Sequence, residues 1–224
     1  MNGDAGGAAA EGAAAEIGPE RPPRGFQRRR LPPGQYVPRG WPVLHYGRVP
    51  QADLAAWDLR IFGATADGGE RYLSHDEVSA LPQSDVAGDF HCVTKFSLLD
   101  NLWRGVRALD LAQAWPPRED VTHVMIWAES GYSANMRLSD FLADGAIFAH
   151  SRNGEPLTAE HGWPLRFVCP HLYAWKSAKW VRAVQYLTSD ERGFWETRGY
   201  HNRGQVWDEQ RYSYQERPDD GPPL

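Results

Sequence analysis

The sequence contains little cysteine, little lysine and no long apolar run. Only two cysteines occur among its 224 residues, Cys92 and Cys169, which excludes a scaffold held by many disulfides but leaves a single bridge between the two open. No run of 18 apolar residues is present, so we expect no membrane span. The net charge of −5 gives no reason to expect a nucleic-acid partner.

Lysine is restricted to three positions, Lys95, Lys176 and Lys179, whereas arginine supplies every other basic residue. All three lysines lie in two short stretches, Asp89–Lys95 and Tyr173–Trp180. A compact ammonium group and a planar guanidinium group are not interchangeable in a binding site. The restriction therefore indicates that a site requires lysine at these positions, and chance is the alternative.

Composition divides the chain into three parts. Residues 1–28 are rich in Ala, Gly and Arg and are expected to be disordered. Acidic residues interrupt this stretch and no basic segment precedes it, so it does not match a secretory signal and a cytoplasmic location is expected. Residues 29–207 form the expected folded domain. Residues 208–224 form an acidic tail ending in prolines, expected to wrap the surface or fray.

The middle part combines short strands, short helices and long loops. The counts of glycine (22) and proline (17) favour tight turns over a helical bundle. Ser74 to Glu77 form a capping box that begins a short helix before Pro82. We predict strands at 57–63, 121–128, 146–149, 165–169 and 181–187, and helices at 105–114 and 139–143. Because the strands do not alternate with the long helices that parallel crossovers need, we predict a mixed α+β fold.

The two cysteines lie in different sequence environments. Cys169 ends an apolar strand, which is typical of a free cysteine that acts as a small buried hydrophobe. Cys92 precedes the polar Thr94 and Lys95, so we predict that it lies at a strand end or in a loop. The neighbouring His91 and Lys95 favour the thiolate, the form that ligates a soft metal or attacks an electrophile.

Two further interpretations of Cys92 depend on the sequence spacing of its candidate partner residues and on local sequence signatures. A zinc site built from His91, Cys92, Cys169 and His171 has suitable ligand types, but neither half shows the usual gap of two to four residues. A Cys–His hydrolase could recruit one of the eight histidines as its base, but no local signature supports it. The sequence pattern therefore favours neither the zinc site nor the hydrolase.

The second lysine-containing region combines cations with aromatic residues. Arg166, in His161-Gly-Trp-Pro-Leu-Arg166, offers a two-pronged donor for a phosphate or a carbonyl. Lys176-Ser-Ala-Lys179 offers ammonium groups, a hydroxyl and backbone amides suited to an anion. Large aromatic residues interleave with these charges, which favours a buried or half-buried anion pocket over an exposed loop. Stacking on nucleic-acid bases, the rival interpretation, is disfavoured by the acidic net charge.

Three motifs, taken in order, resemble the sulfite-oxidase-like molybdopterin-dependent oxidoreductases in their short bacterial form. The motifs are Trp41-Pro-Val-Leu-His-Tyr-Gly-Arg-Val-Pro50, then Phe90-His-Cys-Val-Thr94 with Trp103-Arg-Gly-Val106, and finally the His161–Arg166 and Lys176–Trp180 stretches. The resemblance covers residues 31–204. It implies a sulfite-oxidase-type molybdopterin-binding fold and a molybdenum–molybdopterin cofactor.

The resemblance also implies roles for individual residues. Cys92 would ligate the molybdenum and take part in catalysis. Lys95 and Arg104, the other two residues expected to be catalytic, would attract a small anionic or polar oxide substrate. The residues expected to hold the pterin or its phosphate are His45, Tyr46, Ser130, His161, Arg166, Ser177, Ala178 and Lys179.

The chain departs from the sulfite oxidases in the first motif, where Leu44 and His45 stand in place of an arginine and an asparagine. No arginine closely follows Cys92, and from the length of the sequence we expect neither a haem domain nor a dimerisation domain. The expected function is therefore oxygen-atom transfer on a small sulfur or nitrogen oxide, with electrons exchanged with a separate partner. The alternatives are a Cys-dependent non-redox enzyme and a non-catalytic molybdopterin carrier or interaction module.

Overall fold

Twelve short strands make up the β-structure of the chain, which a computed structural model describes over residues 30–224. The predicted disordered segment 1–28 lies outside the described residues. The strands are β1 (Asp58–Gly63), β2 (Arg71–Ser74), β3 (Ser84–Ala87), β4 (Phe90–His91), β5 (Ser97–Leu98), β6 (Leu102–Arg107), β7 (His123–Ala128), β8 (Ser133–Arg137), β9 (Ile147–Arg152), β10 (Glu155–Pro156), β11 (Arg166–Val168) and β12 (Val181–Leu187).

These strands form two five-stranded sheets and a small hairpin. The first sheet has the order β2-β1-β12-β7-β8, in which β1 and β12 run parallel and the other pairs antiparallel. The second has the order β10-β9-β6-β3, with β11 paired to β9, and is antiparallel throughout. Strands β4 and β5 form the hairpin. The mixed sheets with few helices confirm the predicted α+β class.

The helices are short. They are α1 (His75–Ala80), α2 (Ala108–Ala114) and α3 (Leu138–Phe141), with single 3₁₀ turns at Glu129–Gly131, Ala159–His161, Ala174–Lys176, Glu196–Arg198 and Ser213–Gln215. The predicted capping box is present, because the Ser74 hydroxyl accepts from the amide of Glu77 and the Glu77 carboxylate accepts from the amide of Ser74. In the described part of the chain, no helix has the length and apolar character needed to cross a bilayer.

One predicted element needs correction. Gly105 to Arg107 belong to β6 rather than to the start of a helix, and the helix begins at Ala108. The reason is a close approach between strands, since a Cβ at Gly105 would lie only 2.0 Å from the carbonyl oxygen of Phe148 on β9. Glycine is thus required by the neighbouring strand, a contact that local sequence does not reveal.

Both large sheets contribute to one hydrophobic core. Leu59 of β1 and Ile126 of β7 belong to the same buried cluster as Val106 of β6 and Phe148 of β9. Phe141 of α3 packs between them and lies 6.0 Å from the ring of Phe148. This shared core holds β11 and β12, a second buried cluster around Phe90 and Trp103 holds β4, and the loops at the ends of these strands build the cleft described below.

Residues 208–224 contact the folded part at several points. Tyr212 forms an antiparallel bridge with Tyr200. The Arg192 guanidinium donates to both carboxylate oxygens of Glu216, at 2.9 and 2.6 Å, and to the carbonyl of Pro222 at 2.8 Å. The segment therefore lies against the domain at both of its ends.

Candidate active site

A cleft of about 300 Å³ lies where the three sequence motifs meet. Its walls come from residues 41–46, from the turn after β4 and from the loop between β11 and β12. Seven of the predicted site residues line it, namely His45, Tyr46, Cys92, Arg166, Ser177, Ala178 and Lys179. The cleft therefore brings together residues that are far apart in the sequence.

Cys92 sits in the tight turn that joins β4 to β5, which confirms the predicted strand-end position. Its amide donates to the carbonyl of Phe96 at 2.8 Å, and its own carbonyl accepts from the amide of Lys95 at 3.0 Å. The Gln35 side chain donates to the same carbonyl at 3.1 Å, and the Thr94 hydroxyl donates to the Cys92 sulfur at 3.2 Å. The sulfur is thus held in a defined direction at the cleft wall.

Arg166, the first residue of β11, places a buried guanidinium group in the cleft. It donates to the carbonyl of His161 at 2.9 Å and to that of Ser177 at 3.4 Å, while its Nε has no hydrogen-bond partner. The group lies 4.7 Å from the ring of Phe90. Within residues 30–224, no carboxylate lies within ion-pair distance of Arg166. Burial lowers the pKa of Arg166 to about 10, as expected for a cation without a counter-charge.

Lys179 and His161 also have lowered pKa values, because both groups are buried close to other cations. Burial, then the charge of Arg166, lowers the pKa of Lys179 to about 7. The imidazole of His161 stacks on Trp41 at 3.9 Å and its Nε2 is buried without a partner. Burial, then the charges of Lys179 and Arg166, lowers its pKa to about 4. An anion bound here would stabilise the protonated lysine and offset the burial of Arg166.

The loop from Ser177 to Lys179 is fixed on both sides. The Ser177 hydroxyl accepts from the amide of Cys169 at 3.1 Å, and the Ala178 carbonyl accepts from the amide of Phe167 at 2.8 Å. Gly162 packs against it with φ +113°, and a Cβ there would lie 3.2 Å from the Cβ of Lys179. Glycine allows the turn at His161 to approach the loop closely.

Three predicted residues, besides the stacked His161, lie outside the cleft lining in the described chain. Lys95 follows Cys92 in the turn with φ +75° and an exposed side chain. Arg104 lies on β6 and pairs with Asp85 of β3 at 2.9 Å, on an exposed surface of that sheet. Ser130 lies at φ +60° behind the first motif, where its hydroxyl would be 3.2 Å from a Cβ at Gly47.

Lys176 was expected to present its ammonium group to an anion, and the structure contradicts this. The side chain is fully buried and pairs with Glu196 at 2.5 Å. Its Nζ also donates to the Asn135 side-chain oxygen at 2.7 Å. Burial lowers the pKa of Lys176 despite the nearby carboxylate. The ammonium thus points into the protein interior, away from the cleft.

Sequence reasoning placed Trp175 in the pocket but missed three other aromatic residues that line the cleft, namely Tyr132, Trp195 and Tyr200. The Tyr132 hydroxyl donates to the carbonyl of Trp175, and the Tyr200 ring lies 5.1 Å from the rings of both Trp175 and Trp195. Burial raises the pKa of Tyr200. The dense aromatic run from Phe194 to Tyr200 was the available signal.

The disulfide and zinc alternatives are not realised. Both cysteines are free thiols, and Cys169 lies in the core beside His171, which pairs with Asp140 at 2.9 Å. Burial raises the pKa of the Cys169 thiol, consistent with an inert core residue. Among residues 30–224, no cluster of three or more His, Cys, Asp and Glu side chains could hold a metal ion.

The chemistry of the cleft fits a molybdenum–pterin cofactor with a phosphate group. Cys92 offers a soft sulfur ligand, and Arg166 with Lys179 offers two cations that form no ion pair within residues 30–224. The unpaired Nε of Arg166 and Nε2 of His161 are buried groups whose burial a polar ligand would offset. Aromatic walls suit a flat heterocycle.

Comparison with known proteins gives an independent finding. The family described as "Oxidoreductase molybdopterin binding domain" matches residues 46–195. An uncharacterized oxidoreductase, YuiH, from Bacillus subtilis (strain 168) is 46% identical over 189 residues, covering 84% of this chain and 94% of that protein.

Two proteins of lower sequence identity also match most of this chain. A putative protein-methionine-sulfoxide reductase subunit, YedZ1, from Azospira oryzae is 26% identical over 172 residues, covering 75% of this chain and 64% of that protein. Mitochondrial sulfite oxidase from Rattus norvegicus is 27% identical over 180 residues, covering 68% of this chain. This chain spans 33% of the length of that sulfite oxidase.

A solved structure supports the fold. The sulfane dehydrogenase SoxCD from Paracoccus pantotrophus superposes with a TM-score of 0.61 at 16% identity, covering 89% of this chain and 62% of that chain. At this identity the similarity concerns the fold alone. Because the family match extends over most of the chain and coincides with the cleft that the three motifs build, the protein belongs to the oxidoreductase molybdopterin-binding domain family, as a short sulfite-oxidase-like oxidoreductase.

Proposed function

We propose that the protein transfers an oxygen atom to or from a small sulfur or nitrogen oxide, with Cys92 as the protein ligand of molybdenum. The observation that carries the proposal is the buried Arg166 guanidinium, which has no carboxylate partner in the described part of the chain and lines the same cleft as Cys92. A soft metal ligand and an anion site in one cavity are the two features that a molybdenum–molybdopterin cofactor requires.

In this proposal, each side chain of the cleft has a defined task. Arg166 and Lys179 bind the phosphate, together with the backbone at Ser177 and Ala178. His45 and Tyr46 contact the pterin from the first motif, and His161 donates or accepts a hydrogen bond through Nε2. Ser130 supports the first motif from behind. The cofactor, when bound, supplies two-electron oxygen-atom transfer chemistry, and the protein supplies orientation and polarity.

The substrate would approach Cys92 along the aromatic wall. Tyr200 lines this wall, and its hydroxyl can donate a hydrogen bond to an oxide oxygen because a tyrosine is protonated at neutral pH, a state that burial favours further by raising its pKa. Lys95, exposed on the turn that carries Cys92, can attract a polar oxide. Arg104 pairs with Asp85 outside the cleft and has no part in this proposal.

A separate electron donor or acceptor is part of the proposal, because each two-electron turnover must be balanced by a second half-reaction. We also propose a cytoplasmic location, which the free thiols of Cys92 and Cys169 support.

The test begins with protein expressed in a molybdate-replete host. We expect near-stoichiometric molybdenum by mass spectrometry and pterin by fluorescence, and turnover with an artificial electron mediator on at least one of sulfite, sulfoxides and amine N-oxides. Cys92→Ser should lose turnover, whereas the matched Cys169→Ser should retain it because Cys169 lies in the core.

Three outcomes would contradict the proposal. Protein without molybdenum and pterin would favour a Cys-dependent non-redox enzyme. An unchanged spectrum and turnover in Cys92→Ser would exclude Cys92 as the ligand. Bound cofactor without turnover across the whole panel would favour a carrier or interaction module.

A further inference from the structure

Arg211, in the C-terminal segment, lies behind the turn that carries Cys92. Its guanidinium donates to the carbonyl of Val93 at 2.9 Å and to that of Pro33 at 3.3 Å. The group also lies over the ring of Tyr173, 4.7 Å from its centroid. Arg211 is 8% exposed, so one buried cation joins three separate parts of the chain.

The surroundings of this cation are neutral for the most part. The ion-pair contact found for it within residues 30–224 is with Glu209 at 3.9 Å, and the Glu209 side chain is 47% exposed. So long and hydrated a pair gives little stabilisation. The charge is instead balanced by two carbonyl dipoles and an aromatic face. We therefore attribute to the buried Arg211 side chain the role of holding the groups that it contacts in fixed positions.

The contact with Val93 acts on the residue that directly follows the cysteine. The carbonyl groups of Cys92 and Val93 follow one another after the Cys92 Cα, and each accepts a donor from a distant segment, Gln35 for the first and Arg211 for the second. With the Cys92 amide bonded to Phe96, the backbone on both sides of the Cys92 Cα is held. These bonds set the direction of the Cα–Cβ bond, and the hydrogen bond from the Thr94 hydroxyl to the sulfur at 3.2 Å favours one rotamer about it.

Arg211 also connects this turn to the opposite wall of the cleft. Its backbone carbonyl accepts from the amide of His201 at 3.1 Å, next to the bridge between Tyr200 and Tyr212. Tyr200 lines the cleft. The same residue thus fixes the spacing between the Cys92 turn and the aromatic wall.

We propose that Arg211 is a positioning residue that aims the Cys92 sulfur at the bound metal, an inference that rests on the proposed ligation of molybdenum by Cys92. Without Arg211, the Val93 carbonyl loses its donor and the turn can rotate. The anion site at Arg166 and Lys179 is untouched by this change, so the cofactor stays bound while its protein thiolate ligand is lost.

The test measures alkylation of Cys92 by iodoacetamide in the cofactor-loaded enzyme, with peptide mass spectrometry to separate Cys92 from Cys169. A metal-bound thiolate is protected. In Arg211→Met we expect molybdenum content close to that of the wild type and alkylation of Cys92 at least about tenfold faster, a factor that corresponds to about 1.4 kcal/mol. Arg211→Lys, which keeps the charge and can reach one carbonyl, should lie between the two.

The matched control is Arg192→Lys, which loosens the same C-terminal segment at Glu216 and Pro222 without a contact to the Cys92 turn. It should lower Tm and leave Cys92 protected. If Arg211→Met and Arg192→Lys both lower Tm and neither makes Cys92 react faster, Arg211 has only a structural role and the inference is overturned. Should Arg211→Met fail to fold, wild-type protection in Arg211→Lys would overturn it equally.

Failure of the underlying proposal has a different signature. If Cys92 of the loaded wild-type enzyme reacts as fast as Cys92 of cofactor-free protein, the cysteine is not a ligand, and both proposals fall together. Protection in the wild type combined with protection in every Arg211 variant removes only the role of Arg211.

Discussion

The guanidinium of Arg166 donates to the backbone carbonyl of His161 at 2.9 Å, across the turn that contains Gly162. The same guanidinium contributes to the low pKa of the His161 imidazole. Burial is the main cause of this low pKa, and the charges of Lys179 and then Arg166 add to it, so the histidine stays neutral beside the buried cation. A neutral imidazole beside two cations can donate or accept a hydrogen bond without adding a third positive charge.

Replacing Arg166 should weaken cofactor binding and lower the cofactor content of the purified protein. Arg166→Met removes the buried cation that has no counter-charge, and a charge-assisted hydrogen bond contributes about 1.5–3 kcal/mol, so affinity should fall by roughly 10- to 100-fold. The measurement is molybdenum and pterin content after purification. Arg152→Met is the control, since Arg152 also lies over Trp41, at 4.8 Å, but donates to Asn101 and does not line the cleft. Equal cofactor loss in both variants would contradict the assignment.

Anion binding to cofactor-free protein should weaken as pH rises through about 7. The lowered pKa of Lys179 means that the side chain is protonated below this pH and loses its charge above it. Sulfate keeps its charge between pH 6 and 9 and serves as the probe, with affinity measured by calorimetry. Lys179→Met should bind sulfate weakly with a flat profile over the same range. A steep profile retained in that variant would assign the titration to another group.

The buried pair of Lys176 and Glu196 should matter for stability rather than for the site. Lys176→Met leaves the Glu196 carboxylate buried without its partner, which typically costs about 3–5 kcal/mol. Urea unfolding measures the loss. The exposed pair of Arg118 and Asp120 gives the comparison, because Arg118→Met should change stability little. A Lys176→Met protein that folds with wild-type stability would refute the expectation.

The hydrogen bond from Thr94 to the Cys92 sulfur should affect the reduction potential of a metal bound by Cys92. A donor to a thiolate withdraws electron density from it, so Thr94→Val should make the sulfur a stronger electron donor and shift the reduction potential to a more negative value. Redox titration of the loaded enzyme checks this. Thr94→Ser keeps the hydroxyl and should retain the wild-type potential; a shift of the same size in both variants would point to packing instead.

Several features of the fold could be predicted because their causes are local. The capping box at Ser74 works within one turn of chain, and the strand predicted at 181–187 has the bounds observed for β12. Strands β2, β3 and β8 escaped prediction. Strands β2 and β3 carry polar residues at half-buried or exposed positions, whereas β8 buries the polar Ser133 and Asn135, so none of the three shows a clear apolar pattern and only pairing with neighbouring strands identifies them.

The sequence by itself determined the family, the position of Cys92 at a strand end and the gathering of basic and aromatic residues near Arg166. Tertiary structure decided which cations serve the cleft. Lys176 turns inward to Glu196, Arg104 pairs with Asp85, and Arg211 comes from a segment that composition described as a tail. The physical reason is that a buried or half-buried charge is stable only beside a group that compensates it. For these three side chains that group lies far away in the sequence, and only the folded structure brings it close.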